Sequence, residues 1–326
     1  MPQRRHLEVV FRVAVILLSL LLLEGALRVL GLPAADGCWA PKESYWVPDD
    51  ALGFAYRPGA LVAGGVVNAI GLRGPVPTAA PAERPRILFL GDSSAYGFGV
   101  PDGQAFWRLA SDAVGAEPIV AAAPGYSSYH SRVLLERLLP RQPVWVVFYV
   151  GAYNDHRRRV YYPDVAIPER MARRTRGWHQ VRTLAAGELV VDKLARWLRR
   201  QSPDPLATVR VAPADFEANL RAMLAATRDA GARSLVLIPP FSQQQRARRA
   251  ELISRYEEIL RRVAAEAADR VVELGPVFAE PSDVALFQAD GIHPSAAGQA
   301  RIAAAIEREI RTTGVPATDQ RASEAR

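Results

Sequence analysis

The stretch from Ile87 to Val100 reads ILFLGDSSAYGFGV. Its first four residues are apolar, and the run stops at a Gly-Asp-Ser-Ser sequence. A short apolar run bounded by a turn is typical of a strand that is buried on both faces of a sheet. A buried strand that ends in a serine-bearing turn is a common place for a nucleophile. The other residues that could act with Ser93 therefore have to be found elsewhere in the chain.

The sequence after this stretch alternates between strand and helix patterns. Further apolar strands are predicted at residues 118–123, 144–150, 234–238 and 270–274. Helices are predicted at residues 104–114, 129–139, 214–230, 247–268 and 295–311, the last with Ser295 as its N-cap. Continuous apolar strands separated by helices predict an α/β domain, in which a five-stranded parallel sheet is covered by helices on both faces.

The composition limits the classes of protein to which the chain can belong. A chain of 326 residues with 49% hydrophobic residues can form one large domain with a sizeable core. Its single cysteine, Cys38, excludes an intrachain disulfide. The net charge of +7 fits either an arginine-rich composition or an anionic partner such as a membrane surface or an acidic glycan. No nucleic-acid-binding motif accompanies the charge, so we expect no nucleic-acid partner.

The N-terminal segment is apolar and long enough to cross a membrane. Residues 9–32 are nearly all apolar, with a dense core at 13–23, and a helix of this length spans a bilayer core of about 30 Å. Three arginines precede the core: Arg4, Arg5 and Arg12. The positive-inside rule then places the N-terminus in the cytoplasm and the rest of the chain outside it. We expect residues 1–32 to form an uncleaved transmembrane helix; a cleaved signal peptide and a buried soluble helix are the alternatives.

The rest of the chain divides by composition. Residues 33–84 are rich in proline and glycine and predict a linker or a small appendage. Residues 85–315 carry the alternating pattern of the main domain. Residues 156–213 interrupt that pattern with a connection too long to be ordinary, and residues 179–200 within it have helical apolar spacing. This insert is either a cap packed on the domain or a lid at a membrane surface. The polar tail at 316–326 is predicted to be disordered.

Chemically useful residues follow the carboxyl ends of the predicted strands, where ligands bind in doubly wound sheets. Ser93, Gly125 and Asn154 follow the first three strands, and Asp290 and His293 follow the fifth. Acyl transfer needs a nucleophile, a base, a group that orients the base and donors for the oxyanion. We predict that Ser93 is the nucleophile, His293 its base and Asp290 the orienting carboxylate. The backbone amides of Ser93 and Gly125 and the side-chain amide of Asn154 are the predicted oxyanion donors.

Taken in order, these motifs resemble the SGNH (GDSL) hydrolase superfamily over residues 86–312. GDSS matches the first block with Ser93, Gly125 matches the second, ND matches the third with Asn154, and DGIHP matches the last with Asp290 and His293. The third block of the family usually reads Gly-x-Asn-Asp, whereas this chain reads Gly-Ala-Tyr-Asn-Asp.

The resemblance implies a flavodoxin-like fold and an esterase, lipase or acetylhydrolase activity that needs no metal or other cofactor. The whole chain also resembles the bacterial subgroup that carries an N-terminal anchor followed by a PG…N…GLRG segment. Here Arg57 to Gly59, Asn68 and Gly71 to Gly74 match that segment.

The function that we expect is a membrane-anchored, extracytoplasmic serine esterase that forms an acyl-enzyme on Ser93. Its expected substrate is an acylated glycan or lipid, with removal of an acetyl group from a glycan or another cell-envelope ester as the leading possibility. The alternatives are an O-acyltransferase that uses the same residues on an envelope polysaccharide, a lysophospholipase or lipase that uses the insert at 156–213, and a binding module without catalysis.

Overall fold

The computed structural model describes residues 2–29, 45–77, 83–157, 163–173, 209–279 and 286–314. The chain divides into two compact units. The smaller unit comprises Met1–Ala55 and Ala166–Pro203, and the larger comprises Tyr56–Val165 and Asp204–Arg326. The larger unit contains the sheet and all of the predicted site residues.

The strands of the described residues are β1 (Trp46–Asp49), β2 (Gly53–Tyr56), β3 (Leu61–Val62), β4 (Gly65–Val66), β5 (Arg86–Gly91), β6 (Glu117–Ala122), β7 (Trp145–Tyr149), β8 (Arg233–Ile238) and β9 (Arg270–Glu273). The last five form one parallel sheet in the order β6-β5-β7-β8-β9. This is the strand order of flavodoxin-like folds, in which the first strand of the sheet lies between the second and the third. The prediction of a five-stranded parallel sheet is confirmed.

The burial of the central strands explains why the apolar runs in the sequence predicted a parallel sheet. Leu88 of β5 pairs with Ile119 of β6 on one side and with Val146 of β7 on the other. Every residue of these three strands is buried. A strand between two neighbours and under helices has no polar face, so its sequence is continuously apolar. Each predicted strand agrees with the observed one to within one residue at either end.

The helices are α1 (Pro2–Val29), α2 (Ser93–Tyr96), α3 (Phe106–Ala113), α4 (Ser128–Leu138), α5 (Ile167–Arg173), α6 (Pro213–Asp229), α7 (Gln243–Ala267), α8 (Leu274–Val277) and α9 (Ala296–Thr313). The five helices predicted after β5 correspond to α3, α4, α6, α7 and α9. Ser295 caps α9 as predicted, because its hydroxyl accepts a hydrogen bond from the amide of Gly298. In contrast, α7 begins four residues before the predicted Ala247, since Ser242 provides its cap.

The helices of the larger unit form two groups. Helix α3 packs against α9, while α4, α6 and α7 pack in a row. The chain moves from β5 to β6 in one direction along the sheet and from β6 to β7 in the other. With right-handed crossovers, the connecting helices α3 and α4 must lie on opposite faces. The sheet is therefore covered on both faces.

The smaller unit contains α1, the β1–β2 pair and α5. Large apolar side chains of α1 between Phe11 and Leu23 are exposed to solvent, whereas Glu24 is buried. Within the described parts of the chain, no helix has the length and hydropathy that a membrane span requires. The membrane anchor stays a prediction.

Several predicted features lie wholly or partly outside the described residues. They are Cys38, the helix at 179–200, much of the insert at 156–213 and the tail at 316–326.

Residues 56–77, which the sequence assigns to a linker or a small appendage, belong to the larger unit. Strands β3 and β4 form an antiparallel hairpin in this segment. Beyond the hairpin, Arg73 forms an isolated antiparallel bridge with Val120 of β6. A Cβ atom at Gly65 would lie 2.3 Å from Nε of Arg73, so only glycine fits beside this side chain.

Arg73 is completely buried and acts as a clamp on the loop after α2. Its guanidinium donates hydrogen bonds to the carbonyl oxygens of Tyr96 at 2.8 Å, Gly97 at 2.7 Å and Val100 at 2.7 Å. Its Nε donates to the carboxylate of Asp102 at 2.7 Å. One side chain thus supplies a charged donor to three buried carbonyl groups, of which Tyr96 also accepts from Nε1 of Trp107 and Gly97 from the amide of Val100.

We predict that Arg73→Met lowers the free energy of unfolding by about 3–5 kcal/mol, because three buried carbonyl groups lose a charged donor and that of Val100 is left without one among the described residues. Urea denaturation followed by tryptophan fluorescence measures the change. Arg108→Met is the matched control, because Arg108 forms an exposed pair with Asp112, and it should change stability by less than about 0.5 kcal/mol. Equal unfolding midpoints for the two variants would contradict the clamp.

Candidate active site

The nucleophile turn starts where β5 ends. The chain passes from Gly91 directly into α2, a single helical turn that begins with Ser93. Asp92 caps this turn, and its carboxylate accepts a hydrogen bond from the amide of Ser94 at 2.8 Å. A Cβ atom at Gly91 would lie 2.5 Å from the carbonyl oxygen of Tyr149, so the turn requires glycine. Burial raises the pKa of Asp92 above its usual value.

Ser93, His293 and Asp290 form a continuous chain of hydrogen bonds. Nε2 of His293 lies 2.8 Å from Oγ of Ser93, and Nδ1 lies 2.6 Å from Oδ2 of Asp290. The other carboxylate oxygen accepts from the amides of Ile292 at 2.8 Å and His293 at 3.0 Å. Partial burial raises the pKa of Asp290, but the hydrogen bonds from His293 and these amides outweigh burial and hold the pKa below its usual value. An ionised Asp290 fixes the proton on Nδ1 and leaves Nε2 to accept one from Ser93.

Two residues that the sequence analysis missed hold the imidazole in place. The ring of Phe98 stacks on the ring of His293 with centroids 4.2 Å apart. Gln288 donates from its side chain to the carbonyl oxygens of Phe98 at 2.6 Å and Pro294 at 3.1 Å. Its backbone amide also donates to the carbonyl oxygen of His293 at 2.8 Å. The loop that carries the base is therefore tied to the loop that follows the nucleophile.

Gly125 lies in the loop after β6, with φ at +85°, a conformation that side chains disfavour. The hydroxyl of Tyr56 donates to the neighbouring carbonyl oxygen of Pro124 at 2.6 Å. The guanidinium of Arg210 donates to the carbonyl oxygen of Gly125. With these carbonyl groups held from one side, the backbone of the loop has a fixed orientation.

Asn154 and Asp155 follow β7, and the structure gives them different surroundings. Asp155 accepts hydrogen bonds from the amides of Ser128 at 2.9 Å and Gly151 at 3.1 Å, which ties this loop to the start of α4. Burial raises the pKa of Asp155 to about 6. Asn154 is also buried, but its side chain forms no hydrogen bond with any residue in the described ranges. Its amide is therefore available as a donor.

A small pocket lies beside the triad. It measures about 260 Å³ when counted to its open mouth. Its walls include Ser94, Tyr149, Tyr153, Phe241, Gly291 and Ile292. Ser94 follows Ser93 in the chain and Ile292 precedes His293, so the pocket is lined by immediate chain neighbours of the triad, while Ser93, His293 and Asp290 themselves do not line it. Its enclosed part measures about 10 Å³, which is room for about one water molecule.

The structure thus places the five predicted site residues as follows. Ser93, His293 and Asp290 are in direct hydrogen-bond contact. Gly125 and Asn154 lie in the two loops that follow β6 and β7, the strands on either side of β5. Among the described residues, no group of three or more His, Cys, Asp or Glu side chains could hold a metal ion. The arrangement can activate a serine hydroxyl by general-base catalysis, while the catalytic roles themselves stay predictions.

Comparison with known proteins identifies the family. The model of the GDSL-like Lipase/Acylhydrolase family matches residues 89–301, which is well over half of the chain. No curated protein matches the chain at a significant level.

Similar solved structures include the following three. TesA is 21% identical, with 70% of this chain and 98% of that chain covered and a TM-score of 0.45. A lipase/acylhydrolase from Enterococcus faecalis is 20% identical, with 72% and 99% covered and a TM-score of 0.46. The acetyl xylan esterase AlAXEase is 17% identical, with 69% and 99% covered and a TM-score of 0.47.

The family match spans most of the parallel sheet and includes both Ser93 and His293. We conclude that the chain belongs to the GDSL-like lipase/acylhydrolase family, the SGNH hydrolases, and is a serine hydrolase that acts on ester bonds.

Proposed function

We propose that this hydrolase removes a short acyl group from its substrate through an acyl-enzyme on Ser93. The observation that carries the proposal is the continuous hydrogen-bond chain from Oγ of Ser93 through His293 to Asp290. A serine hydroxyl is a poor nucleophile until a base removes its proton, and an imidazole does so near neutral pH. The distance of 2.8 Å between Nε2 of His293 and Oγ of Ser93 supports this role for His293.

In the proposed reaction, Nε2 of His293 accepts the proton of Ser93 as Oγ attacks the ester carbonyl carbon. The resulting oxyanion accepts hydrogen bonds from the backbone amides of Ser93 and Gly125 and from the side-chain amide of Asn154. His293 then gives the proton to the leaving alcohol, and the acyl group stays on Ser93. Water attacks the acyl-enzyme in the same way and releases the acid, while Asp290 stabilises the imidazolium in both halves of the reaction.

The small pocket beside the triad supports a short acyl group such as acetyl. Its walls include the aromatic side chains of Tyr149, Tyr153 and Phe241, and its enclosed part is only about 10 Å³, so it leaves no room for a long acyl chain. We propose an O-acetylated glycan or another ester of the cell envelope as the substrate, with the net charge of +7 favouring an anionic surface or polymer.

A panel of p-nitrophenyl esters from acetyl to palmitoyl tests this proposal. We expect kcat/KM to be highest for the acetyl ester and to fall with chain length, because longer chains exceed the pocket. Activity that rises with chain length would contradict the short-acyl proposal in favour of a lysophospholipase or lipase. If an added sugar alcohol receives the acyl group faster than free acid is released, the enzyme is an acyltransferase.

Variants of the site residues should rank in a defined order on the acetyl ester. Ser93→Ala or His293→Ala should lower kcat by about 10⁴–10⁶-fold, and the double variant should be little worse, since the two residues act as a unit. Asn154→Ala removes one of three oxyanion donors and should lower kcat by about 10²–10³-fold with KM nearly unchanged. If Asn154→Ala keeps full turnover while Ser93→Ala is inactive, the triad stands and the oxyanion assignment is wrong.

We also propose that α1 anchors the enzyme in a membrane, with the catalytic unit on the extracytoplasmic side. The proposal is supported by the apolar run at 13–23, whose large apolar side chains are exposed in α1. The arginines before this run, Arg4, Arg5 and Arg12, favour a cytoplasmic N-terminus.

A reporter that is active only in the cytoplasm, fused after Arg326, tests the topology. The full-length fusion should be silent, because the C-terminus lies outside the cytoplasm. The same fusion lacking residues 1–32 should be active, which provides the control. A strong signal from the full-length fusion would overturn both the topology and the envelope location of the substrate.

A further inference from the structure

Beside the loop that carries Asn154, Arg249 of α7 lies over the ring of Tyr153. Its guanidinium carbon is 4.5 Å from the ring centroid, and Nη2 donates to the tyrosine hydroxyl at 3.1 Å. Its Nη1 atom is buried and has no hydrogen-bond partner. Arg249 also has φ of −146° and ψ of 26°, which interrupts the helical geometry of α7. The helix is thus distorted at a residue whose charge is only partly satisfied.

A second arginine in the same region is also incompletely satisfied. Nε of Arg157 is buried and has no hydrogen-bond partner. Burial lowers the pKa of Arg157, and the neighbouring cations Arg210 and Arg249 lower it further. The guanidinium of Arg249 therefore lies close enough to Arg157 to disfavour the charge of Arg157.

The carboxylate that favours the charge of Arg157 is shared with other donors. Asp164 is near Arg157, but its oxygens accept from Nε of Arg210 at 2.7 Å and from the hydroxyl of Ser127 at 2.5 Å. Burial lowers the pKa of His156 to about 4, so its ring is neutral at neutral pH. In the described residues, neither Arg157 nor Arg249 forms an ion pair. The carboxylate that favours the charge of Arg157 is thus engaged by other donors, and Arg249 has no carboxylate partner among these residues.

Other arginines of α7, in contrast, do form ion pairs. Arg246, three residues before Arg249, pairs with Glu257 at 2.8 Å. Arg261 pairs with Glu273 at 2.7 Å. Burying a cation without a partner costs several kilocalories per mole, and buried polar atoms without partners are rare. The unpaired donors of Arg157 and Arg249 therefore indicate an anionic partner that the described residues do not provide.

Arg249 is connected with the ester site through its contact with Tyr153. Tyr153, whose ring lies under the guanidinium of Arg249, lines the pocket beside the triad and directly precedes Asn154. The pocket itself is small, so a short acyl group would fill it. A charged group near Arg249 would then belong to the alcohol portion of the substrate.

We propose that Arg157 and Arg249 form a subsite for an anionic group, a carboxylate or a phosphate, on the alcohol portion of the ester substrate. This subsite rests on the esterase function proposed above. A guanidinium matches either anion with paired N–H donors, and the buried donor atoms of the two arginines gain partners when the anion binds. The subsite makes an acidic sugar ester or a phosphorylated alcohol ester a better substrate than its neutral counterpart.

Two matched pairs of acetyl esters test the proposal with the full-length enzyme. One pair is an O-acetylated methyl glucuronoside and its C6 carboxamide, and the other is acetylglycerol phosphate and acetylglycerol. We expect kcat/KM to favour the charged member by about 10–100-fold in at least one pair, mainly through a lower KM. The pair that shows the larger preference identifies the anion as carboxylate or phosphate.

Substitutions then assign the preference to the arginines. Arg157→Gln and Arg249→Gln should each reduce the charged-to-neutral ratio of kcat/KM by at least about threefold, and the double variant should bring it close to one. Arg246→Gln is the matched control, because its charge is already paired with Glu257, and its ratio should stay within about twofold of the wild type. Circular dichroism establishes that each variant is folded.

The outcomes separate this proposal from the esterase function. If the wild type hydrolyses the neutral esters but shows no preference in either pair, the subsite is wrong and the esterase function stands. If the preference survives in the folded double variant, the assignment to Arg157 and Arg249 is wrong. If the wild type hydrolyses none of the four esters, the esterase function fails, and the subsite fails with it.

Discussion

The hydrogen bond between Ser93 and His293 joins residues that are 200 positions apart, and the larger unit is arranged so that this bond can form. Ser93 is fixed by β5, and His293 precedes α9. The buried side chain of Gln299, on α9, connects the two regions. It donates to the carbonyl oxygen of Ser94 at 3.2 Å and accepts from the amide of Phe106 at 2.9 Å. Gln299 thereby fixes the positions of the first turns of α2, α3 and α9 relative to one another, which sets the distance between Ser93 and His293.

The loop between α2 and α3 is the second element on which this geometry depends. Arg73 binds three of its carbonyl groups from one side, while Gln288 and His293 contact Phe98 from the other. The segment before β5 thus contributes to the active site by holding this loop. An arginine that organises backbone carbonyl groups gives rigidity, because each hydrogen bond has a charged donor in a buried site.

The sequence predicted the sheet and the triad for the same physical reason. Strands buried on both faces are continuously apolar, and parallel strands bring their carboxyl ends to one edge, so Ser93 and the residues after β9 had to meet there. The supporting contacts could not be predicted in this way. Arg73 looks like a surface charge in the sequence, since arginine is rarely buried, and its partners depend on tertiary structure. Phe98 lies between two glycines without any periodicity, and the single turn of α2 is too short to produce one.

Around the proposed anion subsite, α7 departs from helical geometry and buried donors lack hydrogen-bond partners among the described residues. The positions one turn before and after Arg249 on α7 are Gln245 and Ile253, both buried, so no glutamate stands where it could form an i,i+4 pair. On the same helix, Glu257 does stand four residues before Arg261 and pairs with it. A helix selected only for stability would pair its partly buried arginine or replace it. Unpaired donors, a distorted helical residue and the loop of Asn154 coincide at one place, and such conflicts between local preference and tertiary structure are expected where function has been selected over stability.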